Sequence, residues 1–259
     1  MNEELKILAA KICNTISKKV KNASIKELYK FKNNMGLGAD GTITKYIDKY
    51  AEDIAIDIIK KSKLKINLLS EEIGFIDNKA EYTFVLDPVD GTRNAYRGIP
   101  FYSVSLAIGK KNLNDIEYGI VKNISTDDEY IAEKKLGAFF NKKQIIVPEV
   151  PDKEILASLT LGNNCDRLTL NLAKKDKVRS LGCASLEMCL VATGGLDFFM
   201  LECEYIRITD IAASALFLRE AGGVLTDING KNLDMSFDLH DRKSFIAACN
   251  KQIIEEIIS

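Results

Sequence analysis

A chain of 259 residues with 46% hydrophobic content buries enough apolar surface for one large α/β domain or two tightly packed halves. Its 36 Lys+Arg set against 37 Asp+Glu give a formal net charge of −1, so no global electrostatic case for nucleic acid or a membrane surface follows. Six cysteines without a C-x-x-C pair and one histidine, His240, exclude a disulfide framework and disfavour a histidine zinc site or a Ser-His-Asp triad.

The opening MNEELKILAAKIC carries acidic charge and lacks an apolar run of export length. No stretch approaches the roughly 18 apolar residues of a membrane span, so a cytoplasmic protein with free core thiols is expected. Leu5, Leu8, Ile12, Ile16 and Val20 recur at helical spacing and predict a long helix over 3–31, broken near Asn22-Ala23-Ser24. The lysines at 18, 19 and 21 read as its solvated face. Three glycines within 36–41 predict a flexible loop around Asp40. A second helix is expected over 44–62, with Tyr46, Ile47, Tyr50, Ile54, Ile58 and Ile59 on its buried side.

The period then changes. Strands are expected over 66–70 and 82–86, ending at Glu71 and Asp87, then over 101–109, 116–122, 128–133 and 155–161. Val147–Pro151 is the best boundary between halves 1–148 and 149–259. Beyond it, strands near 197–201, 223–226 and 244–248 alternate with helices near 165–174, 184–193, 210–221 and 250–258, which favours a sheet with helices on both faces. There is no internal repeat.

The chemistry centres on Asp87 and Asp90. Pro88 is expected to end the strand, leaving Asp87 at its tip and Asp90 in a turn closed by Gly91. Two carboxylates held this close repel unless a cation lies between them, and hard divalent ions take such oxygens, the Val89 carbonyl included. Asp-Pro and Asp-Gly also form ordinary turns, so the hexapeptide alone leaves both readings open. Glu71, brought beside Asp87 by adjacent strands, tilts the balance towards a metal. Asp210 opens a helix rich in small residues and reads, alone, as a cap or first-turn acid.

Together these segments carry a resemblance. Leu69-Ser70-Glu71-Glu72, Leu86-Asp87-Pro88-Val89-Asp90-Gly91-Thr92 and Thr209-Asp210-Ile211-Ala212-Ala213 resemble, in order and separation, the three metal-site motifs of the inositol monophosphatase superfamily. Arg179–Ser185, Met188–Gly195 and Glu220–Val224 are similar to that family too. Thr44–Asp48 and the short length look most like archaeal and bacterial members, some combining inositol-1-phosphatase and fructose-1,6-bisphosphatase activity.

The resemblance implies a layered αβαβα sandwich of α/β (α+β) class, a homodimer, and two or three Mg²⁺ ions per subunit. Carried over, Glu71, Asp87 and the Val89 carbonyl hold the first ion, and Asp87, Asp90 and Asp210 the second. A third sits near Glu71 with help from Asp40 or Asp48, and the glycine-rich loop resembles the mobile loop that these enzymes close over their metals. Such ions neutralise a phosphate dianion and acidify a bound water. Glu71 and Thr92 are expected to orient and deprotonate that water, while Asp90 and Asp210 support the leaving group. Amides around Gly91 and Thr92 would grip the phosphate, most effectively if a helix begins there.

The pattern also departs from the family. Inositol-specific members usually carry Trp before the third aspartate and an acid seven residues before it, where this chain has Thr209 and Cys203. Glu202 or Glu204 is the expected substitute. Arg207, Arg93 and Arg179 are candidate substrate contacts with Ala184 and Ser185, Arg207 suited to a second phosphate. Arg93 and Arg179 read equally well as surface arginines. The expected substrate is inositol-1-phosphate, with fructose-1,6-bisphosphate second. A 3′(2′),5′-bisphosphate nucleotidase, usually longer, and a non-catalytic metal-binding member are the alternatives.

Overall fold

A computed structural model describes residues 2–23, 30–148, 155–160, 167–175 and 177–259, and elements are numbered along these. Helix α1 (Glu3–Lys21) starts where the Asn2 side chain accepts from the Glu4 amide at 2.9 Å. Its buried stripe of Leu5, Leu8, Ile12, Ile16 and Val20 faces β6 (Ser103–Gly109) and β7 (Tyr118–Asn123). Helix α2 (Tyr46–Ser62) lies beside α1 and against β5 (Thr83–Asp90).

These helices cover one face of an eight-stranded sheet. The sheet also holds β3 (Asn67–Ser70), β4 (Gly74–Ile76), β8 (Glu129–Glu133), β9 (Gly137–Phe140) and β10 (Lys143–Ile145), in the order β10-β9-β8-β7-β6-β5-β3-β4. Only β3 and β5 run parallel within it. A five-stranded sheet follows, built from β11 (Leu156–Leu159), β12 (Lys177–Arg179), β13 (Phe198–Ile206), β14 (Val224–Thr226) and β15 (Lys243–Ala248), in the order β12-β11-β13-β15-β14.

After the short α3 (Thr92–Arg97) and α4 (Arg167–Lys175), helices α5 (Ala184–Thr193) and α6 (Ile208–Glu220) pack between the sheets. Every residue of α6 from Ile208 to Leu218 is buried, as a helix walled by protein on all sides requires. Its approach to β7 is close enough that a Cβ at Gly119 would meet the Ala213 carbonyl oxygen at 2.8 Å. Helix α7 (Lys251–Ile258) packs on β15, completing the αβαβα sandwich.

Residues 149–151 of the expected boundary lie outside the described ones, and the larger sheet ends at Ile145 while the smaller begins at Leu156. Their cores do not separate. One cluster lies wholly before residue 125, while the other joins Val85, Ala107 and Val121 to Phe199, Phe245 and Ile253.

Several expectations are corrected. The glycine-rich segment is part of a hairpin, because β1 (Asn34–Leu37) pairs antiparallel with β2 (Ile43–Lys45). Thr44 and Lys45 therefore belong to a strand, and α2 starts at Tyr46. The most deeply buried residues of α2 are Ile47, Asp48, Ala51, Glu52 and Ala55, while Tyr46, Tyr50, Ile54, Ile58 and Ile59 are partly buried and pack against the same core, so small and acidic residues join the expected inner face. Pro88 does not end β5. The register slips between Asp87 and Asp90, and this bulge carries a residue without an N–H through the strand. The first helix ends at Lys21, and residues 24–29 of its expected length are outside the described ones.

Candidate metal centre

The parallel pairing of β3 with β5 sets Ser70 opposite Leu86, so the next residues, Glu71 and Asp87, leave the same sheet edge side by side. The bulge then keeps Asp90 on β5, where it pairs with Ser103. Asp210 arrives from the opposite layer at the third position of α6, its carboxylate accepting from the Arg207 amide at 2.8 Å. One carboxylate oxygen each from Glu71, Asp87 and Asp210 lies within 4.8 Å of the others.

Asp87 Oδ1 accepts from the Val89 amide at 3.0 Å, while its Oδ2 is buried with no hydrogen-bond partner. Asp90 Oδ2 accepts from the Ser185 amide at 2.7 Å, from the Ser185 hydroxyl at 2.6 Å and from Cys183 Sγ at 3.1 Å. Asp90 is thereby fixed to the start of α5, and Ser103 Oγ, 2.7 Å from Ser185 Oγ, holds the hydroxyl from behind. Gly91 is in the left-handed region at φ +82°, and a Cβ there would lie 3.1 Å from the Phe101 carbonyl oxygen and from Cys183 Cβ. Helix α3 begins immediately after it, at Thr92. The Thr92 hydroxyl is 2.9 Å from Asp48 Oδ1 and 2.9 Å from the Val89 carbonyl oxygen.

So many acids in one dry place cannot all ionise cheaply. Burial, opposed by Arg207 and reinforced by Asp210, pushes the Glu71 carboxyl up to about 8. Burial and the neighbouring Glu71 push Asp87 well above the carboxylate range, and burial with Asp210 raises Asp90. Burial raises Asp48 to about 7 against the Thr92 hydrogen bond. Arg207 crosses this cluster. Its Nη2 lies 2.7 Å from Asp210 Oδ1, and its Nη1 lies 2.8 Å from Asp40 Oδ2 and also contacts Glu71 Oε1. Burial raises Asp40, but the Thr42 amide and hydroxyl and the Arg207 guanidinium outweigh it and hold the carboxyl low.

The donor set is all oxygen, close-spaced and under-neutralised, with one buried carboxylate oxygen unused. That set fits a hard divalent cation better than a soft one. A cavity of about 890 Å³ opens beside it, bordered by Asp48, Glu71, Asp90, Thr92, Arg93 and Asp210. Gly91, Ala184 and Arg207 also line it, while Ser185 and Val89 are buried and do not.

Other expected contacts fall elsewhere. Arg179 is an exposed residue of β12 whose guanidinium donates to the Val178 carbonyl at 3.0 Å, away from the cavity. Glu202 turns towards α4, accepting from the Thr169 amide at 3.1 Å and from its hydroxyl, so it is not the missing polyol-binding acid. The Cys203 and Glu204 side chains and Cys165 lie outside the description. Asp40 lies in the turn between β1 and β2, and Asp48, also expected to help a third ion, in the first turn of α2. The contact of Asp48 with Thr92 was missed by sequence reasoning, although an acid in register with Ala51 and Ala55 on a buried stripe was the available signal. Cys13, Cys183, Cys189 and Cys249 are free and buried.

The model of the inositol monophosphatase family matches residues 1–259. A fructose-1,6-bisphosphatase/inositol-1-monophosphatase of Methanothermobacter thermautotrophicus is 39% identical over 236 residues, covering 86% of this chain and 84% of that protein. A bifunctional NADP phosphatase/NAD kinase of Methanococcus maripaludis is 39% identical over 247 residues, 85% of this chain, and the chain spans only 43% of its length. The crystal structure of an inositol monophosphatase–fructose 1,6-bisphosphatase superposes with a TM-score of 0.86 at 33% identity, covering 100% of this chain and 99% of that one. No helix among the described residues is long and apolar enough to cross a membrane. The chain belongs to the inositol monophosphatase family of phosphoric monoester hydrolases, whose substrates are small phosphorylated molecules.

Proposed function

We propose that the chain is a magnesium-dependent phosphatase that hydrolyses inositol-1-phosphate and fructose-1,6-bisphosphate. The observation that carries this reading is the meeting of Glu71, Asp87 and Asp210 within 4.8 Å beside a cavity large enough for a phosphorylated polyol. Glu71, Asp87 and the Val89 carbonyl would hold one Mg²⁺, and Asp87, Asp90 and Asp210 a second, with a third near Glu71, Asp40 and Asp48. When bound, the ions supply charge neutralisation for the phosphate dianion and acidify the water that attacks it.

The remaining work falls to the chain itself. Glu71, at the end of β3 beside the cavity, would accept the proton of the attacking water. Thr92 aligns that water, its hydroxyl poised by Asp48 at 2.9 Å. The amides around Gly91 and Thr92 hold phosphate oxygens where α3 begins. Asp90, fixed by Ser185, and Asp210 would hold the second ion, whose charge would offset that of the leaving alkoxide until it takes a proton from water. Arg93 at the cavity border faces the substrate's outer charge. The same reading treats 1–148 and 149–259 as two halves, the first carrying Glu71, Asp87 and Asp90 and the second Asp210, in a cytoplasmic homodimer.

A second substrate reading has a specific basis. Relatives described as NADP phosphatases match at up to 39% identity, and Tyr205, 64% exposed, borders the cavity as a flat surface for a base or sugar. The 2′-phosphate of NADP is a monoester of the same chemistry. Phosphate release should be measured from inositol-1-phosphate, fructose-1,6-bisphosphate, NADP and adenosine 3′,5′-bisphosphate, with Mg²⁺, with chelator and with added Li⁺. Release from a sugar or polyol ester that stops with chelator supports the first reading. Release confined to NADP or to the adenosine bisphosphate transfers it to a nucleotide. Release unchanged by chelator sinks the metal mechanism, and release from none supports a non-catalytic member.

A further inference from the structure

Arg207 occupies a peculiar place for a substrate-reading arginine. Its backbone is the N-cap of α6, three residues before Asp210, and its amide and Nε both donate to that carboxylate, Nε at 2.9 Å from Oδ1. The guanidinium continues past Asp210 to Glu71 and to Asp40. Two of the three clustered carboxylates are thus spoken for by one side chain, and the third, Asp87, keeps an unpartnered oxygen. The Arg207 side chain is only 16% exposed, so these ion pairs form in a partly dry site where charge-assisted bonds are strong. Asp40 has a second cation within reach, since Arg242 Nη2 lies 3.3 Å from the same Oδ2, whereas Glu71 and Asp210 have no other cationic partner among the described residues.

We infer that Arg207 is an internal competitor for the metal site: its guanidinium holds Glu71 and Asp210 together in the metal-free protein and must leave them for a divalent ion to bind. The inference rests on the metal-phosphatase reading above and adds an exchange of one cation for another to it. The Arg207 guanidinium is a planar, singly charged donor that serves two of the three clustered carboxylates and Asp40 besides but leaves Asp87 Oδ2 unserved. A small divalent ion can meet Glu71, Asp87 and Asp210 at once. Arg207 already engages both oxygens of Asp210 and one of Glu71, so a divalent ion drawn to these carboxylates competes with it for them. The arginine keeps like charges from facing one another when metal is scarce, and it sets the metal concentration at which the site fills. Once released, the side chain has the cavity in front of it, because Arg207 lines that cavity from a backbone position fixed by the helix start.

The competition predicts opposite effects on the two states. Arg207→Met keeps the length and removes the charge. Mg²⁺ and Mn²⁺ should then bind about tenfold more tightly, the factor corresponding to loss of one strong competing ion pair. The metal-free variant should melt at a lower temperature than the metal-free wild type, since Glu71 and Asp210 lose their counter-charge. The rise in melting temperature on adding Mg²⁺ should therefore be larger in the variant. Arg207→Lys, which keeps one charge but loses the fork, should fall between the two.

Calorimetric titration of chelator-treated wild type, Arg207→Met and Arg207→Lys with Mg²⁺ alone and Mn²⁺ alone tests this, with circular dichroism reporting the fold. Tighter binding to Arg207→Met, with Arg207→Lys intermediate, supports the inference. Equal or weaker binding to a folded Arg207→Met overturns it, because an arginine that only reads substrate leaves metal affinity alone. If Arg207→Met does not fold, Arg207→Lys decides on the same criterion. No metal binding to any of the proteins overturns the metal reading itself and this inference with it.

Discussion

The Thr92 hydroxyl and the Asp48 carboxylate, 44 residues apart in sequence, meet at 2.9 Å between the start of α3 and the first turn of α2. One hydroxyl proton faces two acceptors there, Asp48 Oδ1 and the Val89 carbonyl, both at 2.9 Å. A third acceptor, such as a water beside the phosphate, can be served only if the proton is shared out, and Asp48 is the group able to change its share. Burial raises its affinity for a proton to about 7. Asp48→Asn and Thr92→Val should each lower kcat by about 100-fold with KM changed little, the signature of an interaction made in the transition state. Steady-state kinetics on both variants checks this. A loss confined to KM would place the pair in substrate binding instead.

Ser185 is a positioning residue for Asp90. Its hydroxyl lies 2.6 Å from Asp90 Oδ2 in a fully buried position. Ser185→Ala removes one charge-assisted bond and leaves the 2.7 Å amide bond. The expected cost is about tenfold in kcat/KM together with weaker Mg²⁺ binding. Ser185→Thr, if it folds, should recover most of both. Metal titration separates this from a purely structural effect, which would lower melting temperature without moving metal affinity.

Stability should depend on pH in the direction opposite to that of an ordinary paired carboxylate. Burial and neighbouring acids raise the folded-state affinity of Glu71 for a proton from the usual 4.5 to about 8. Between those values the folded chain binds more protons than the unfolded one, so its stability falls as pH rises. Below 4.5 the favourable contribution is fully present, and above about 8 it is gone. Chelator-treated protein should therefore melt at lower temperature at pH 8 than at pH 6. Mg²⁺ should remove that dependence and release protons as it binds, which calorimetry in buffers of different ionisation enthalpy measures. A metal-free melting temperature that rises across this window would contradict the crowding described for these acids.

The arginines named from sequence should separate cleanly. Arg93 borders the cavity, while Arg179 is exposed on β12 outside it. Arg93→Ala should raise KM for fructose-1,6-bisphosphate several-fold, by more than for inositol-1-phosphate, because the bisphosphate has a second charge to place. Arg179→Ala should leave both unchanged. Reversal of the two outcomes would mean that the substrate lies on another face of the site.

Much of this was legible in the sequence because apolar runs mark the strands whose ends carry Glu71 and Asp87, and parallel pairing of those strands needs no further information to bring the two acids together. The nature of the turn after Asp87 was not legible. Pro88 signals a strand end by its missing N–H, and only the one-sided pairing with β6 reveals a bulge that carries the strand to Asp90. The glycines at 36–41 likewise read as loop because β1 and β2 are short, β1 is exposed throughout, and the two pair only with each other. Long-range partners of polar side chains were the least visible. Nothing local distinguishes Glu202, which faces Thr169, from an acid facing the cavity, or Arg207, which crosses the carboxylates, from one reaching a phosphate.

The central claim is that Asp87 belongs to a metal-dependent hydrolytic site and is not a structural acid at a strand bulge. Phosphate release from inositol-1-phosphate by wild type and by Asp87→Asn, each across a Mg²⁺ titration, tests it most directly. Wild-type turnover should rise with Mg²⁺ and vanish with chelator. Asp87→Asn should stay folded, melt at the same or a higher temperature without metal because crowding among the buried acids is relieved, and show no turnover at any Mg²⁺ concentration. Turnover by a folded Asp87→Asn at a wild-type rate with wild-type Mg²⁺ dependence would contradict the account.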